Sequence, residues 1–547
     1  MSSRSPYQQA PTGPVAADAY AMTHREVLEA LSGLLLGMLV AILSSTVVST
    51  SLPVIISDLK GTESDYTWVV TSTLLAMTVS TPVWGKFADL FSRKLLLQLS
   101  LVVFVLGSAL SGLSQDSSQL IGFRVIQGIG AGGLTALVQV VLADIVSPRE
   151  RGRYMGYLGA VMAVGTVGGP LLGGVITDSV GWRWNFYIGV PIAVLAIVVL
   201  QRTLHLPHRE RREVKVDYIG VTLISAAVSL LLIWVTLGGV QFAWASWTTV
   251  AMVGGAGLGA VVLVWHESRV AEPIIPLALF RNRTIVLAIV ASIGVGVAIF
   301  GASIYLSQYM QLSRGETPTV SGLLTIPLIG GLLVASTVVG QVISRTGVWK
   351  RYLVTGGVLL TGGLLLMSRI RVDTGWVYLA VSMAILGAGI GLLMQNLVLV
   401  VQNVLPVSML GSGSSSVSFF RTLGGAVGVS ALGALLAHRV TAMVTSGLAG
   451  LGIRPTGGNT IPDVQTLPGP VRSVVESAYG QGIGEVFLAA VPLGVIALVA
   501  VIMLPNAKLG TKSGVQQLVE NAGDSALLDV TPVQVEDSAA APAEVRR

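Results

Sequence analysis

The sequence predicts an all-α membrane protein with fourteen transmembrane helices, set out as two six-helix halves with two further helices inserted between them. Three observations carry the membrane class and the span count, and a recurring turn carries the division into halves. Charged residues make up only 11% of the 547 residues, where soluble domains carry about 25%, while apolar residues reach 52% and mean hydropathy is +0.78. Fourteen apolar runs of about 20 residues, the length that crosses a bilayer as a helix, alternate with short polar stretches. Lysine and arginine collect on alternate loops, the bias that orients multi-pass chains.

The runs cover residues 30–52, 66–85, 95–114, 119–145, 154–178, 185–201, 218–238, 247–266, 284–310, 319–342, 352–368, 376–402, 412–437 and 483–505. The first 29 residues are mixed polar and read as a cytoplasmic tail. No cleavable signal precedes the first run, which is long enough to serve as an uncleaved anchor. With both termini inside, 23 of the 33 basic residues lie inside and 8 outside, while Arg124 and Arg421 fall within spans. That excess places both ends in the cytoplasm. The stretch 30–201 forms the first half, 202–283 a linker carrying the two extra spans, and 284–505 the second half. A Gly- and Pro-rich loop, 438–482, reaches outside. The tail 506–547 is polar and is expected to be disordered.

Several function classes drop out. With no cysteine there is no disulfide, no thiol nucleophile and no thiolate metal site. The five histidines show no metal spacing, no phosphate-cradling Gly-x-x-x-x-Gly-Lys-Ser/Thr occurs, and no catalytic residue stands out. We expect no cofactor, no metal and no enzymatic activity. The net charge of +6 is not clustered on one face, so no nucleic-acid partner is expected.

One pattern recurs. Gly85, Asp89, Arg93 and Lys94 close the second span, and Gly340, Ser344, Arg345, Lys350 and Arg351 close the tenth, which suggests two parallel halves around a central cavity. The fourth span holds Arg124-Val125-Ile126-Gln127-Gly128. The fifth holds Gly156, Gly165, Gly169-Pro170 and Gly173-Gly174 at fixed spacing. Leu43, Thr46, Val48, Leu52 and Pro53 mark the first span, and Gly181-Trp182-Arg183-Trp184 precedes the sixth. Together these resemble the major facilitator superfamily, specifically its fourteen-span drug:proton antiporters, over about residues 30–505.

The resemblance implies roles. Gly85 permits close helix approach, Asp89 accepts hydrogen bonds from a facing helix N-terminus, and Arg93 and Lys94 pair with it or with lipid phosphate, so the four form a conformational latch. Leu90 and Ser92 stand where Arg and Gly are usual. Gly156, Gly165, Gly169, Pro170, Gly173 and Gly174 form the antiporter motif, a bent and tightly packed helix. An arginine inside hydrocarbon costs roughly 2.5–3.5 kcal/mol, so Arg124 must face protein or water. Ser44 stands where the first-span aspartate is usual, Ser49 replaces an asparagine, and Gly189 stands where an asparagine is common. No acid then lies at a span centre. A proton route then uses Asp89, Asp144 or a water chain past Arg124, with Asp144 favoured, or coupling departs from the family's usual form; Asp217 and Glu267 read as interfacial charges. Gln127, Gln308, Gln395, Asn396 and Arg421 are the candidates for a substrate cavity, with Gln402 and Asn403 polar at the inner end of the twelfth span.

The resemblance thus implies a monomeric, proton-coupled exporter of small amphipathic drugs in the bacterial cytoplasmic membrane, working by alternating access and in contact with membrane lipid. Export of a lipid or an endogenous antibiotic is an alternative. A non-transporting sensor and an uptake symporter are further readings.

Overall fold

The computed structural model describes residues 24–61, 63–204, 216–239, 241–451 and 467–517. In chain order its helices are α1 (His24–Asp58), α2 (Glu63–Leu90), α3 (Arg93–Leu113), α4 (Ser117–Ile145), α5 (Pro148–Ser179), α6 (Trp184–Tyr187), α7 (Gly189–Thr203), α8 (Tyr218–Leu237) and α9 (Trp247–Glu267). There follow α10 (Arg283–Gln308), α11 (Pro318–Leu324), α12 (Ile326–Thr346), α13 (Lys350–Met367), α14 (Trp376–Val404), α15 (Leu410–Gly450) and α16 (Gly469–Met503). Local sequence sets many of the boundaries. Asp116, Ser147, Asp217, Ser246 and Asn282 each accept a backbone N–H of the helix they precede. Pro148 opens α5 where a missing N–H costs nothing, and Gly347, at φ 70°, ends α12 in the left-handed conformation.

Among the described residues, eleven helical segments are long and apolar enough to cross a membrane. Three more expected runs correspond to α2, α5 and α13, whose Thr, Ser and Gly content and terminal charges make them less apolar. One hydrophobic core draws on residues between Val27 and Leu204, and a second on residues between Leu279 and Leu509. The inserted pair is asymmetric. On α8, Ile224, Val228 and Leu232 pack with Leu75 and Val79 of α2 and with Phe419, Phe420 and Leu423 of α15. α9 packs on α8, Gly259 lying against Ala227, while Val253, Leu258, Val261 and Val264 face outward.

The sixth and tenth runs are each one span made of two helices that meet at a single residue, α6 with α7 at Ile188 and α11 with α12 at Thr325. Two expectations need correction. The expected loop 438–482 is helical at both ends. At 1.5 Å per residue, the 41-residue α15 is about 60 Å long, twice a bilayer's hydrocarbon depth. Its extension is held against α16 by the Arg439–Glu485 ion pair at 3.0 Å, by Gly447 against Val474, and by buried Val440, Leu448 and Val475. The middle of that loop, 452–466, lies outside the described residues, as do 1–23 of the first tail and 205–215 of the linker. Finally, disorder does not begin at 506. Residues 505–517 pack against the bundle, with Leu509, Ser513 and Val515 buried, because their backbone polar groups find partners on the helices. The rest of that tail, 518–547, is outside the described residues.

Candidate functional site

The turns carrying Arg93, Arg149, Arg151, Arg345 and Arg351 share one end of the bundle, here called the basic end. There the two cores meet along two seams. At the first, α2 lies against α15 at Gly85, with the Ser415 side chain filling the space a side chain at residue 85 would take. A Cβ there would overlap Ser415 and sit 2.8 Å from the Gly411 carbonyl. One turn on, the Asp89 carboxylate accepts the Gly411 N–H at 2.7 Å, the Ser412 N–H at 2.8 Å and the Ser412 hydroxyl at 2.5 Å. It thus caps the first turn of α15, where the helix dipole favours an anion.

Arg93 completes this layer. It donates to the Asp144 carboxylate, to the Val407 carbonyl at 3.1 Å and to the Ala88 carbonyl at 2.9 Å, and its guanidinium lies 3.7 Å from Asp89. Behind it Arg151 donates to the carbonyls of Ala143 (3.1 Å) and Val146 (3.0 Å) and to Gln402 Oε1. Gln402 in turn donates to the Gln139 carbonyl at 3.2 Å and to Ser414 Oγ at 2.7 Å. Arg93, Asp144, Arg151 and Gln402 are each less than 5% exposed. The layer holds two carboxylates and two guanidinium groups, so it is neutral when all are charged. Such a set is tolerated only with every charge paired, and removing one charge leaves another uncompensated.

At the second seam α5 lies against α12, and a Cβ on Gly156 would sit 3.0 Å from Thr337. Arg149 donates to the Arg345 carbonyl at 3.3 Å. The recurring turns of the sequence therefore meet opposite halves: the one at Asp89 caps α15, and the one at Arg345 meets the start of α5. The other motif glycines serve α5's contact with α1. A Cβ on Gly165 would sit 2.7 Å from Ile42 Cγ2, one on Gly169 would overlap Thr46, and one on Gly173 would sit 2.7 Å from the Val47 carbonyl, while one on Gly174 would meet nothing within 4 Å. α5 continues as helix through Pro170.

The remaining expected residues are dispersed. Arg124 and Asp144 lie 20 residues apart on α4, about 30 Å along its axis. Arg124 bonds Gln127 Oε1 at 2.6 Å and the Val69 carbonyl at 3.5 Å, inside the first core, with no carboxylate within 4.0 Å among the described residues. Gln127 donates to Ser108 at 3.3 Å. The two expected proton-coupling residues thus stand at separate places, Asp144 being paired with Arg93. Lys94 also leaves the latch and bonds the Gln201 carbonyl at 2.9 Å on α7. Arg421 bonds the Met394 carbonyl at 3.1 Å inside the second core, and Asn396 donates to Leu392 of its own helix. The amide oxygens of Gln395 and Gln308 are buried without partners. No hydrogen bond among the described residues joins Gln127 to this second set. The reading of the sequence passed over Gly411, Ser412 and Arg151. Their signals were faint: a Gly-Ser helix start, and an arginine counted only as one of many at a loop.

At the opposite end the Trp182–Arg183 turn forms a smaller clasp. The Trp182 indole N–H and the Arg183 guanidinium donate to Asp58 at 2.8 and 3.2 Å. These hydrogen bonds hold the Asp58 carboxyl below its ordinary range.

Comparison with known proteins fits this arrangement. The sequence profile described as Major Facilitator Superfamily matches residues 34–429. The chain belongs to the major facilitator superfamily. As a member it is a multi-pass membrane transporter rather than an enzyme. It is 38% identical over 479 residues to an uncharacterized MFS-type transporter of Mycobacterium tuberculosis, covering 87% of this chain and 69% of that one. It is 34% identical over 451 residues to the multidrug transporter protein MdtP of Bacillus subtilis, covering 82% and 80%. It is 30% identical to multidrug resistance protein 3 of the same organism, covering 88% and 95%. Among solved structures, the proton:xylose symporter XylE superposes with a TM-score of 0.57 at 15% identity, over 91% of this chain and all of that one, a likeness of fold alone.

Proposed function

We propose that this superfamily member is a proton-coupled exporter of small amphipathic drugs in the bacterial cytoplasmic membrane. It has fourteen spans, two six-helix halves, an inserted pair and both termini inside. The observation that carries the coupling is the buried neutral layer of Asp89, Arg93, Asp144 and Arg151 at the seam. Likeness to relatives named as multidrug transporters supports the export and the cargo class.

The steps follow from charge. With both acids ionised, Asp89 caps α15 and Arg93 is held between Asp144 and the Val407 carbonyl, so the basic end stays shut and the cavity opens outward. A proton on Asp144 or Asp89 leaves a buried guanidinium in excess and weakens the cap, which favours parting of the seam. The proton then leaves to the cytoplasm, cargo binds, and the re-ionised acids draw the halves together. Each charge crossing is worth about 2.3 kcal/mol per 100 mV.

The test is ethidium movement in proteoliposomes with an imposed proton gradient, comparing the parent protein with Asp144→Asn. Gradient-driven ethidium accumulation in the parent, lost in Asp144→Asn while downhill equilibration continues, is the expected result. Gradient-driven accumulation that survives in Asp144→Asn moves the proton to Asp89. No ethidium movement in the parent turns the reading toward export of a lipid or an endogenous antibiotic.

A further inference from the structure

The segment after the last helix does something the transport reading does not use. From Pro505 to Gln517 the chain leaves α16, crosses the basic end, and touches both halves. On the second half, the Trp349 indole N–H donates to the Ala507 carbonyl at 2.7 Å, and Trp349 is 1% exposed. The Asn403 side chain grips the segment twice: its amide N–H donates to the Lys508 carbonyl at 3.0 Å, and its carbonyl accepts the Gly510 N–H at 2.8 Å. That two-point grip matches an amide side chain to a backbone as a strand would. On the first half, the Gly510 carbonyl accepts the N–H of Arg149 at 3.1 Å, in the first turn of α5. Gly514 is pressed on α4, where a Cβ would sit 2.8 Å from Asp144 Oδ1 and 3.2 Å from the Ala143 carbonyl. Leu509 belongs to the second half's core.

We propose that residues 505–517 form a strap that bolts the two halves at the basic end, and that Asn403 is its clasp. This rests on the alternating-access reading above, in which the basic end must open. The strap is anchored to the second half by Asn403, Trp349 and Leu509, and reaches the first half through the Arg149 N–H and the Asp144 surface. When the seam parts, one of these attachments has to let go. Among the described residues the hydrogen bond to Arg149 and the glycine face on Asp144 hold the first half, against the double grip of Asn403, the Trp349 bond and buried Leu509 on the second, so the first-half side is the one that releases. The strap also covers Asp144 from the cytoplasmic side, so its release and the exposure of that acid to bulk water are one event. Asn403 is a positioning residue: both of its side-chain hydrogen bonds go to the strap, and it acts through it.

The absence of cysteine from the sequence makes the test direct. Spin labels on Ser92→Cys and Val348→Cys, both exposed and on turns of opposite halves, report the width of the basic end in the full-length protein in liposomes. Asn403→Ala removes both grips and is expected to raise the open-to-closed ratio roughly five- to thirty-fold. Asn403→Asp keeps the acceptor for the Gly510 N–H and is expected to fall between. Gly514→Val, which cannot sit on Asp144, and a chain ending at Pro505 are expected to open the end further. Distance distributions unchanged in Asn403→Ala and Gly514→Val overturn the proposal, whether or not the truncated chain folds. Because distances are read without a gradient or cargo, a protein that moves no ethidium yet opens on losing the clasp keeps the strap and loses only the drug reading.

Discussion

Replacing Gly85 by alanine tests the seam most directly. In the closed form a methyl group there has no room: it would overlap Ser415 and lie 2.8 Å from the Gly411 carbonyl. Rotation of Ser415 moves only its Oγ; its Cβ, which the added methyl would also overlap, and the Gly411 carbonyl are both fixed by the backbone of α15, which Asp89 holds. Relief therefore requires α2 and α15 to separate, which is the movement of opening. Overpacking of this kind costs about 1–3 kcal/mol, and only the closed form bears it, so the open-to-closed ratio rises roughly 5- to 150-fold. The Ser92→Cys, Val348→Cys label pair reads the change as a gain of the longer distance. Adding Ser415→Gly removes one of the two overlaps and is expected to restore part of the closed population, not all of it. A Gly85→Ala protein with the parent's distance distribution refutes the reasoning, since it shows that the backbones have slack the structure denies them.

Other positions separate close packing from motif membership. Gly169→Ala and Gly173→Ala meet Thr46 and the Val47 carbonyl and are expected to lower thermal stability in detergent by about 1–3 kcal/mol, whereas Gly174→Ala, with nothing within 4 Å, is expected to be neutral or slightly stabilising; equal losses at all three sink this account. At the opposite end, Asp58 holds the Trp182–Arg183 turn with a depressed pKa. Its contribution is present above the ordinary carboxyl value of 3.8 and fades as pH falls through the lower folded value. The stability gap between the parent and Asp58→Asn is therefore expected to close on acidification, and a gap that widens contradicts the sign.

How much of this was readable from the residues differs by kind of contact. Apolar runs and caps are local, so the order and approximate limits of the helices follow from patterns of about 20 residues. The Asp89 turn was readable as a candidate because its Gly, Asp and Arg spacing is local too. Its partners were not. Gly411 and Ser412 lie 322 and 323 residues away in sequence from Asp89, and nothing in a Gly-Ser pair says which helix will meet it. The pairing of Asp144 with Arg93 rather than Arg124 was half readable. Helix rise alone places Arg124 and Asp144 at opposite faces of a bilayer, but choosing Arg93 needs the packing of α3 on α4. The buried stretch 505–517 has the composition of a tail. It is ordered by backbone hydrogen bonds to Asn403 and Trp349, and composition does not record those.

Two departures from the family's usual pattern turn out to face each other, and they bear on how the proton acts. Ser44 stands for the usual aspartate and Gly189 for the common asparagine. A Cβ on Gly189 would lie 3.0 Å from Ser44 Oγ, which is buried without a partner. The position is thus emptied on both sides, and an acid restored at residue 44 alone would find no facing amide. An acid in the cavity makes proton and cargo compete for one place. Acids at the seam act differently: they change the cost of closing the basic end and leave the cavity's own groups untouched. The two schemes diverge in the pH dependence of cargo affinity. Competition lowers ethidium affinity tenfold for every pH unit below the acid's pKa, without limit. Linkage through the seam changes it only by the ratio of affinities between the two forms, roughly 5- to 150-fold, and then levels off. Equilibrium ethidium binding over several pH units decides between them. A plateau at low pH is the expected outcome, and a continuing tenfold fall per unit would return the proton to the cavity.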